Sequence, residues 1–280
     1  MAIDKYTAVW VSHSSMGDFL KCPRAYFLHN VYKDPKTNHK ISLVSPAMSL
    51  GQAVHNTIEA LKTIPVADRL KRDLLSDFEI NWQEVSGRKG GFKSEGEESE
   101  AKARGRAMIE RVINQPGPLA QKTVKLPEAH NSMPPNFYLS EDDNIILCGL
   151  IDWLEYIEAD DSVKVLDFKT GKHEESDDSL QLPIYLLLLN ALQKRKVSGA
   201  AYWYLDRDDE PVDMVLPDPD EAKAKVLAVA RQVKQARETK TFLCPKGEGG
   251  CFACKPYEQI VAGQAEYLGV GGYGADLYII

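Results

Sequence analysis

The chain has 280 residues, of which 44% are apolar, 27% charged and 9% aromatic, so it can bury a sizeable core as one large domain or two small ones. Its 34 Lys+Arg against 41 Asp+Glu leave a formal charge of −7, which excludes a wholly basic nucleic-acid binder but not a local basic groove. No apolar leader is visible in MAIDKYTAVWVSHSS, and the longest apolar stretch, 182–192, is too short to span a bilayer. Five cysteines, an odd number, suit thiols or metal ligands in a reducing compartment, so a soluble cytoplasmic chain with no membrane partner is expected.

Residues 1–13 read as an N-terminal extension. Short helices follow, with Ser14 or Ser15 suited to capping one and Pro23 to the first turn of the next. The stretch 21–40 holds five Lys/Arg and the single acid Asp34, with Tyr26, Phe27 and Tyr32 between them. Apolar residues at Met48, Leu50, Val54, Ile58 and Leu61 are spaced as on a helix, and a second helix is expected over 66–85. The glycine-rich, charged segment 86–96 reads as a mobile loop, with a helix of mixed charge beyond it to about Asn114. Five prolines then break the chain into extended pieces.

From Asn144 the pattern changes. Residues 145–157 and 163–169 are β-rich runs separated by the turn composition Glu158-Ala-Asp-Asp161. An apolar helix is expected over 179–196, strands over 200–205 and 212–216, and a helix over 219–238; the last twenty residues read as a Gly/Tyr-rich tail. The expected fold is an α/β domain with a mixed sheet and a helical N-terminal part folded against it. No P-loop, G-x-S-x-G or H-E-x-x-H occurs. Gly269-Val-Gly-Gly-Tyr-Gly274 lacks the strand–turn–helix setting that a dinucleotide site needs.

The chemistry concentrates in the β-rich runs. Residues two apart on a strand share a face, so Asp167 and Lys169 project together, with Val163 and Val165 on the same side. A turn centred between Ala159 and Asp160 places Asp152 directly opposite Asp167, with Cβ atoms roughly 4.5–5.5 Å apart. Two carboxylates that close repel and raise each other's pKa unless a cation sits between them. A hard divalent ion such as Mg²⁺ or Mn²⁺ takes oxygen ligands of this kind. The alternative is a solvated charge row, against which stand Ile146, Leu147, Leu150, Ile151, Val165, Leu166 and Phe168, apolar on both faces of the runs.

Asp152 followed by Asp167-x-Lys169 resembles the split active-site motif of the PD-(D/E)XK nuclease superfamily, and Asp167-Phe-Lys-Thr-Gly171 resembles its RecB-like form. Gln181-x-x-x-Tyr185 resembles that branch's Q-x-x-x-Y helix motif, and Gly51-x-x-x-His55 its upstream G-x-x-x-H element. The resemblance implies a restriction-endonuclease-like core, a mixed central sheet flanked by helices, over about 14–260. It further implies hydrolysis of DNA phosphodiester bonds with Mg²⁺ or Mn²⁺ held by His55, Asp152, Asp167 and the backbone carbonyl of Phe168. Lys169 would position or deprotonate the attacking water, and Gln181 and Tyr185 would contact the strand or support the lysine.

Cys22, Cys244, Cys251 and Cys254 suit an iron–sulfur cluster or a structural zinc. The arrangement is similar to the iron–sulfur branch of the superfamily, which includes CRISPR-associated RecB-like exonucleases and the AddB nuclease domain, and implies a 4Fe–4S cluster clamping the ends of the domain. The third cysteine of the usual C-terminal trio is missing after Cys254, and Cys244 precedes the pair instead, so zinc or a cluster of different nuclearity stays open. Cys148 reads as a small core residue on the first catalytic strand. Arg24, Tyr26, Arg88, Lys89 and Lys93 are candidates for tracking a DNA strand by charge and stacking. The expected substrate is single-stranded DNA or DNA ends, with a helicase, recombination or CRISPR integrase partner. Alternatives are a non-catalytic nucleic-acid-binding or recombination scaffold, and a nuclease for RNA or branched DNA.

Overall fold

The computed structural model describes residues 5–127, 133–272 and 274–280. In chain order the first elements are β1 (Val9–Val11), α1 (His13–Lys21), α2 (Pro23–Tyr26), β2 (Ile41–Leu43) and α3 (Pro46–Glu59). Next come α4 (Val66–Arg69), α5 (Leu74–Gln83), α6 (Glu95–Asn114), β3 (Asn136–Ser140), β4 (Ile145–Cys148), β5 (Trp153–Ile157) and β6 (Ser162–Lys169). The last are α7 (Gln181–Leu192), β7 (Lys196–Tyr204), β8 (Val212–Met214), α8 (Pro219–Thr239), α9 (Lys255–Val261), β9 (Glu266–Val270) and β10 (Asp276–Ile279). These elements fall into two units, one made of 45–135 and 150–218, the other of the chain up to 44, 136–149 and 219–280. No helix among the described residues is long and apolar enough to cross a membrane.

The unit made of 45–135 and 150–218 is built on a sheet of order β5-β6-β7-β8. It is mixed: β6 and β7 run parallel, while β5 and β8 are antiparallel to their neighbours. Both faces are buried, as apolar residues at both parities of β6 require. Leu154, Val163, Val165 and Ala200 pack with Tyr185 and Leu189 of α7. Trp153, Leu166, Phe168, Ala201 and Trp203 pack with α3, α5 and α6 through Leu50, Val54, Ile58, Phe78, Met108 and Val112. Gly105 of α6 permits the close approach, since a Cβ there would lie 2.7 Å from the Phe78 ring and 2.8 Å from Leu50 Cδ1.

Capping explains the helix starts. Ser45 accepts from the Met48 N–H and Pro46 occupies the first turn of α3; Ser94 accepts from the Glu97 N–H and precedes the acids Glu95, Glu97 and Glu98 of α6, which suit the positive helix end. The helix expected over 66–85 is two helices, because Asp73 accepts from the Ser76 N–H and starts α5 afresh. The segment 86–96 is built in: Phe92 is buried in the core, Ser49 Oγ donates to the Gly90 carbonyl (2.8 Å), and Glu98 accepts from the Gly87 N–H and Trp82 Nε1.

The second unit has two three-stranded sheets, of order β1-β4-β3 and β2-β10-β9. Residues 145–157 are therefore not one run. Gly149 to Asp152 interrupt them, β4 pairs with β1 and β3, and Leu150 is largely exposed. Cys148 accordingly lies on β4, outside the sheet that carries Asp152 and Asp167. The expected extension contributes β1, and residues 1–4 of it lie outside the described residues. The expected tail is a β9–β10 hairpin whose β10 pairs in parallel with β2, apart from Tyr273, which is outside the described residues. The apolar helix ends at Leu192 rather than 196, where β7 begins. Ser12, not Ser14 or Ser15, caps α1, with Ser15 completing a capping box.

Candidate active site and cysteine cluster

Register assembles the first site. Trp153 pairs with Leu166, Leu154 with Val165 and Tyr156 with Val163. Extended by one residue, that register sets Asp152 opposite Asp167, as the turn position implies. Asp167 shares the α7 face of β6 with Val163 and Val165, and Gln181 and Tyr185, four apart on α7, both turn to it. Gln181 Nε2 donates to Asp167 Oδ1 at 2.7 Å and the Tyr185 hydroxyl to the same oxygen at 2.6 Å. Lys169 Nζ lies 3.0 Å from Asp167 Oδ2, donates to Glu175 Oε2 at 3.0 Å and to Gln181 Oε1, and stands 4.7 Å from the centre of the Tyr202 ring. Asp167 is buried, with both oxygens engaged.

A second carboxylate group faces α3. His55 Nδ1 lies 3.3 Å from Glu59 Oε1 and 3.4 Å from Asp152 Oδ2. Asp152 Oδ2 also accepts from the Phe168 N–H at 2.9 Å. Lys62 holds the other Glu59 oxygen at 2.7 Å and donates to the Ile151 carbonyl at 3.1 Å, which ties the end of α3 to the residue before Asp152. One ligand atom from each of His55, Glu59 and Asp152 lies within 4.8 Å of the others. An imidazole and two carboxylates fit a hard divalent cation. Glu59 was not anticipated, although the i, i+4 spacing from His55 was there to be read, and Glu175 carried no local signal. Gly51 permits a close approach: a Cβ there would lie 3.2 Å from Thr170 Oγ1.

Burial and the neighbouring Asp167 raise the Asp152 carboxyl to about 7, against the opposing pull of His55. For His55, burial opposes charge, but the Glu59 hydrogen bond and the Asp152 and Asp167 carboxylates outweigh it and raise the pKa. For Lys169 burial is likewise outweighed, by Asp167 and Glu175, so the ammonium is favoured. A cation entering among His55, Glu59 and Asp152 must therefore displace protons on the acid side of neutrality. Mn²⁺ affinity is expected to climb about tenfold per pH unit for each displaced proton, the Asp152 contribution fading above about pH 7 and that of His55 above its own raised pKa. Calorimetric titration in two buffers of unlike ionisation enthalpy counts those protons; a flat affinity with no proton release would contradict the site.

The four cysteines assemble in the other unit, with all four Sγ atoms within 4.8 Å of one another. Cys22 precedes Pro23 at the start of α2, Cys254 starts α9, and Cys244 and Cys251 lie in the segment between α8 and α9. Cys254 Sγ is 3.8 Å from both Cys244 Sγ and Cys251 Sγ. Backbone N–H groups of Lys246 and Cys251 donate to Cys244 and Cys254 sulfur at 3.4 and 3.1 Å. Gly250, at φ 69°, keeps the cradle open, since a Cβ would lie 2.8 Å from Glu258 Oε2 and 3.1 Å from Cys254 Sγ. Burial pushes Cys22 up to about 12, whereas the Cys254 backbone N–H brings Cys251 down to about 7. Cys148, by contrast, donates to the Val11 carbonyl at 3.5 Å and stands outside the group.

The residues expected to track a strand divide. Tyr26 is buried, packed edge-on against Phe19 and tilted against Phe242, so its ring is closed to a base. Arg24 donates to Glu258 Oε1 at 2.8 Å and to the Glu248 carbonyl at 3.1 Å, which fixes it beside the four cysteines. Arg88, Lys89 and Lys93 are exposed on the ordered segment after α5, Lys89 within 3.5 Å of Glu84.

A model of the PD-(D/E)XK nuclease superfamily matches residues 10–259. A search of curated proteins finds no match.

Proposed function

Because the chain belongs to the PD-(D/E)XK nuclease superfamily, whose members are metal-dependent nucleases, we propose that it is a Mg²⁺- or Mn²⁺-dependent deoxyribonuclease of the RecB-like branch, acting as an exonuclease on single-stranded DNA or DNA ends. The carrying observation is the pair Asp167–Lys169, 3.0 Å apart and gripped by Gln181 and Tyr185, beside the cation-fitting group of His55, Glu59 and Asp152. When bound, the cation supplies a Lewis acid that lowers the pKa of water and offsets charge on the scissile phosphate.

His55, Glu59 and Asp152 would hold that ion, with the Asp167 carboxylate and the Phe168 carbonyl completing its surroundings. Lys169 keeps its proton between three oxygens, so it serves as a fixed positive charge and donor that orients the attacking water and receives phosphate charge. Gln181 and Tyr185 act through Asp167 as positioning residues. Burial of Asp167, with Lys169 largely covered beside it, limits competing water around that charge pair.

The four thiolates form a structural metal centre in this reading. The resemblance to the iron–sulfur branch supports a 4Fe–4S cluster. The 3.8 Å sulfur spacing supports a single zinc, because four bonds of about 2.3 Å in a tetrahedron give an edge of that length.

End-labelled single- and double-stranded DNA and RNA, each with Mn²⁺ and with EDTA, test the activity. Progressive shortening of labelled single-stranded DNA that EDTA stops is the expected result. Sparing of every substrate by protein that binds Mn²⁺ would make the chain a nucleic-acid-binding scaffold, and cutting confined to RNA would move the substrate class. A helicase, recombination or CRISPR integrase partner would supply the ends on which an exonuclease works.

A further inference from the structure

Arg69, the last residue of the four-residue α4, is a cation taken out of water without a counter-ion. It is 3% exposed. Its Nε donates to the Leu61 and Ile64 carbonyls at 3.0 and 3.1 Å, and Nη1 to the Leu119 and Gln121 carbonyls at 3.2 and 2.5 Å. The guanidinium carbon lies 4.9 Å from the centre of the Trp153 ring. Carbonyl dipoles and a ring face satisfy N–H groups, but they do not neutralise a charge. Among the described residues no carboxylate pairs with Arg69, and its Nη2 makes no hydrogen bond. Burial accordingly disfavours the charged form.

Arg69 borders an open cavity of about 340 Å³ along the edge of β5. Lys122, Arg195, Thr123 and Tyr156 are also in its wall, which contains three cations and no acid. The partners of the two outer cations lie outside the cavity on the exposed β5–β6 turn: Glu158 for Lys122, and Asp161 for Arg195 at 2.8 Å. Arg195 is held over the Tyr156 ring, 5.0 Å from its centre. The cavity therefore combines a preorganised buried guanidinium, two cations at its mouth and hydroxyl groups from Thr123 and Tyr156, which donate to the Leu154 carbonyl at 2.7 Å and to Asp161 Oδ1 at 3.0 Å.

We propose that this cavity is a phosphate-binding subsite, separate from the cation group at His55, Glu59 and Asp152. A phosphate offers the oxygens that the remaining Nη2 donor of a buried guanidinium and two flanking cations recognise. Its source is either a phosphate of a nucleic-acid strand or free phosphate. The strand source rests on the nuclease reading: Tyr156 lies four residues from Asp152, which immediately precedes β5, about 13 Å at 3.3 Å per residue, so a single nucleic-acid strand reaches both.

The test uses the full chain and the double variant Lys122→Gln/Arg195→Gln, whose side chains are 61% and 41% exposed, so the core is untouched. In the first arm, thermal unfolding is followed with inorganic phosphate against chloride at equal ionic strength. In the second, binding of a fluorescent single-stranded oligonucleotide is measured in EDTA over a range of salt. Phosphate is expected to raise the melting temperature of the wild-type chain in a saturable way, and the variant to lose that rise. Oligonucleotide affinity is expected to fall about tenfold in the variant, with the log–log salt dependence shallower by about 0.7, the value for one single-strand phosphate.

Loss in the oligonucleotide arm, with or without the other, assigns the subsite to the strand. Loss in the phosphate arm alone assigns it to free phosphate. No stabilisation by phosphate together with unchanged oligonucleotide binding overturns the proposal. A wild-type chain that binds no oligonucleotide sinks the nuclease reading instead, and the phosphate arm then decides the subsite by itself.

Discussion

Asp167→Asn is expected to lower the rate of Mn²⁺-dependent DNA cleavage by at least about 10³-fold while leaving a folded protein. Asparagine retains an oxygen where Oδ1 accepts from Gln181 and Tyr185, so the buried hydroxyl and amide keep their acceptor. What disappears is the negative charge beside Lys169 and Asp152. Lys169 still has Glu175 and Gln181 as acceptors, so its ammonium is not stranded. Alanine would be a poorer probe. Removing one partner of a buried ion pair costs about 3–5 kcal/mol, and inactivity would then be confused with unfolding. The check is a cleavage time course at matched protein concentration, beside a melting curve. Wild-type cleavage by the asparagine variant would remove Asp167 from the site.

Cys254→Ser is expected to strip the thiolate centre of its metal and to lower the melting temperature by more than about 10 °C, because a structural metal contributes on the order of 10 kcal/mol to folding. Cys254 is fully buried, its sulfur touches those of Cys244 and Cys251, and it accepts from the Cys251 N–H. Few apolar side chains surround it: the cluster consists of Cys22, Ala25, Cys244 and Cys254, with Cys251 and Ala253 at its margin. Such a core has little hydrophobic burial to fall back on. Metal analysis of protein purified without air decides the occupant. Iron with acid-labile sulfide and a visible absorbance band identifies the cluster; a colourless protein with one zinc per chain identifies zinc. Metal-free wild-type protein that melts with the serine variant would exclude a structural metal.

The parts of the site that could be read from residue order are those fixed by local periodicity. Alternation on β6 placed Asp167 and Lys169 on one face, turn composition set the β5–β6 register, and the i, i+4 spacing aligned Gln181 with Tyr185. Long-range choices were not encoded that way. Residues 145–157 look like one apolar run, yet β4 and β5 join different sheets, since pairing partners as distant as Val9 decide where a strand docks. The glycine-rich 266–279 segment pairs with Ile41 to Leu43, a partner more than two hundred residues away. Segment 86–96 has a loop's composition, but one buried ring, Phe92, and the two donors held by Glu98 fix it in place. Glu175 reaches Lys169 from an irregular stretch that has no period to read.

The strand and thiolate partners of the second unit also set an order of events during synthesis. Residues 45–135 and 150–218, with the paired carboxylates and Lys169, are all present once Asp218 has left the ribosome, and that unit can then close on its own sheet. Cys22 must wait for Cys244, Cys251 and Cys254, and β2 for β10, more than two hundred residues later. A metal held by all four cysteines would thus be loaded only after Cys254 has emerged, and the long interval would leave Cys22 open to stray oxidation or to the wrong ion.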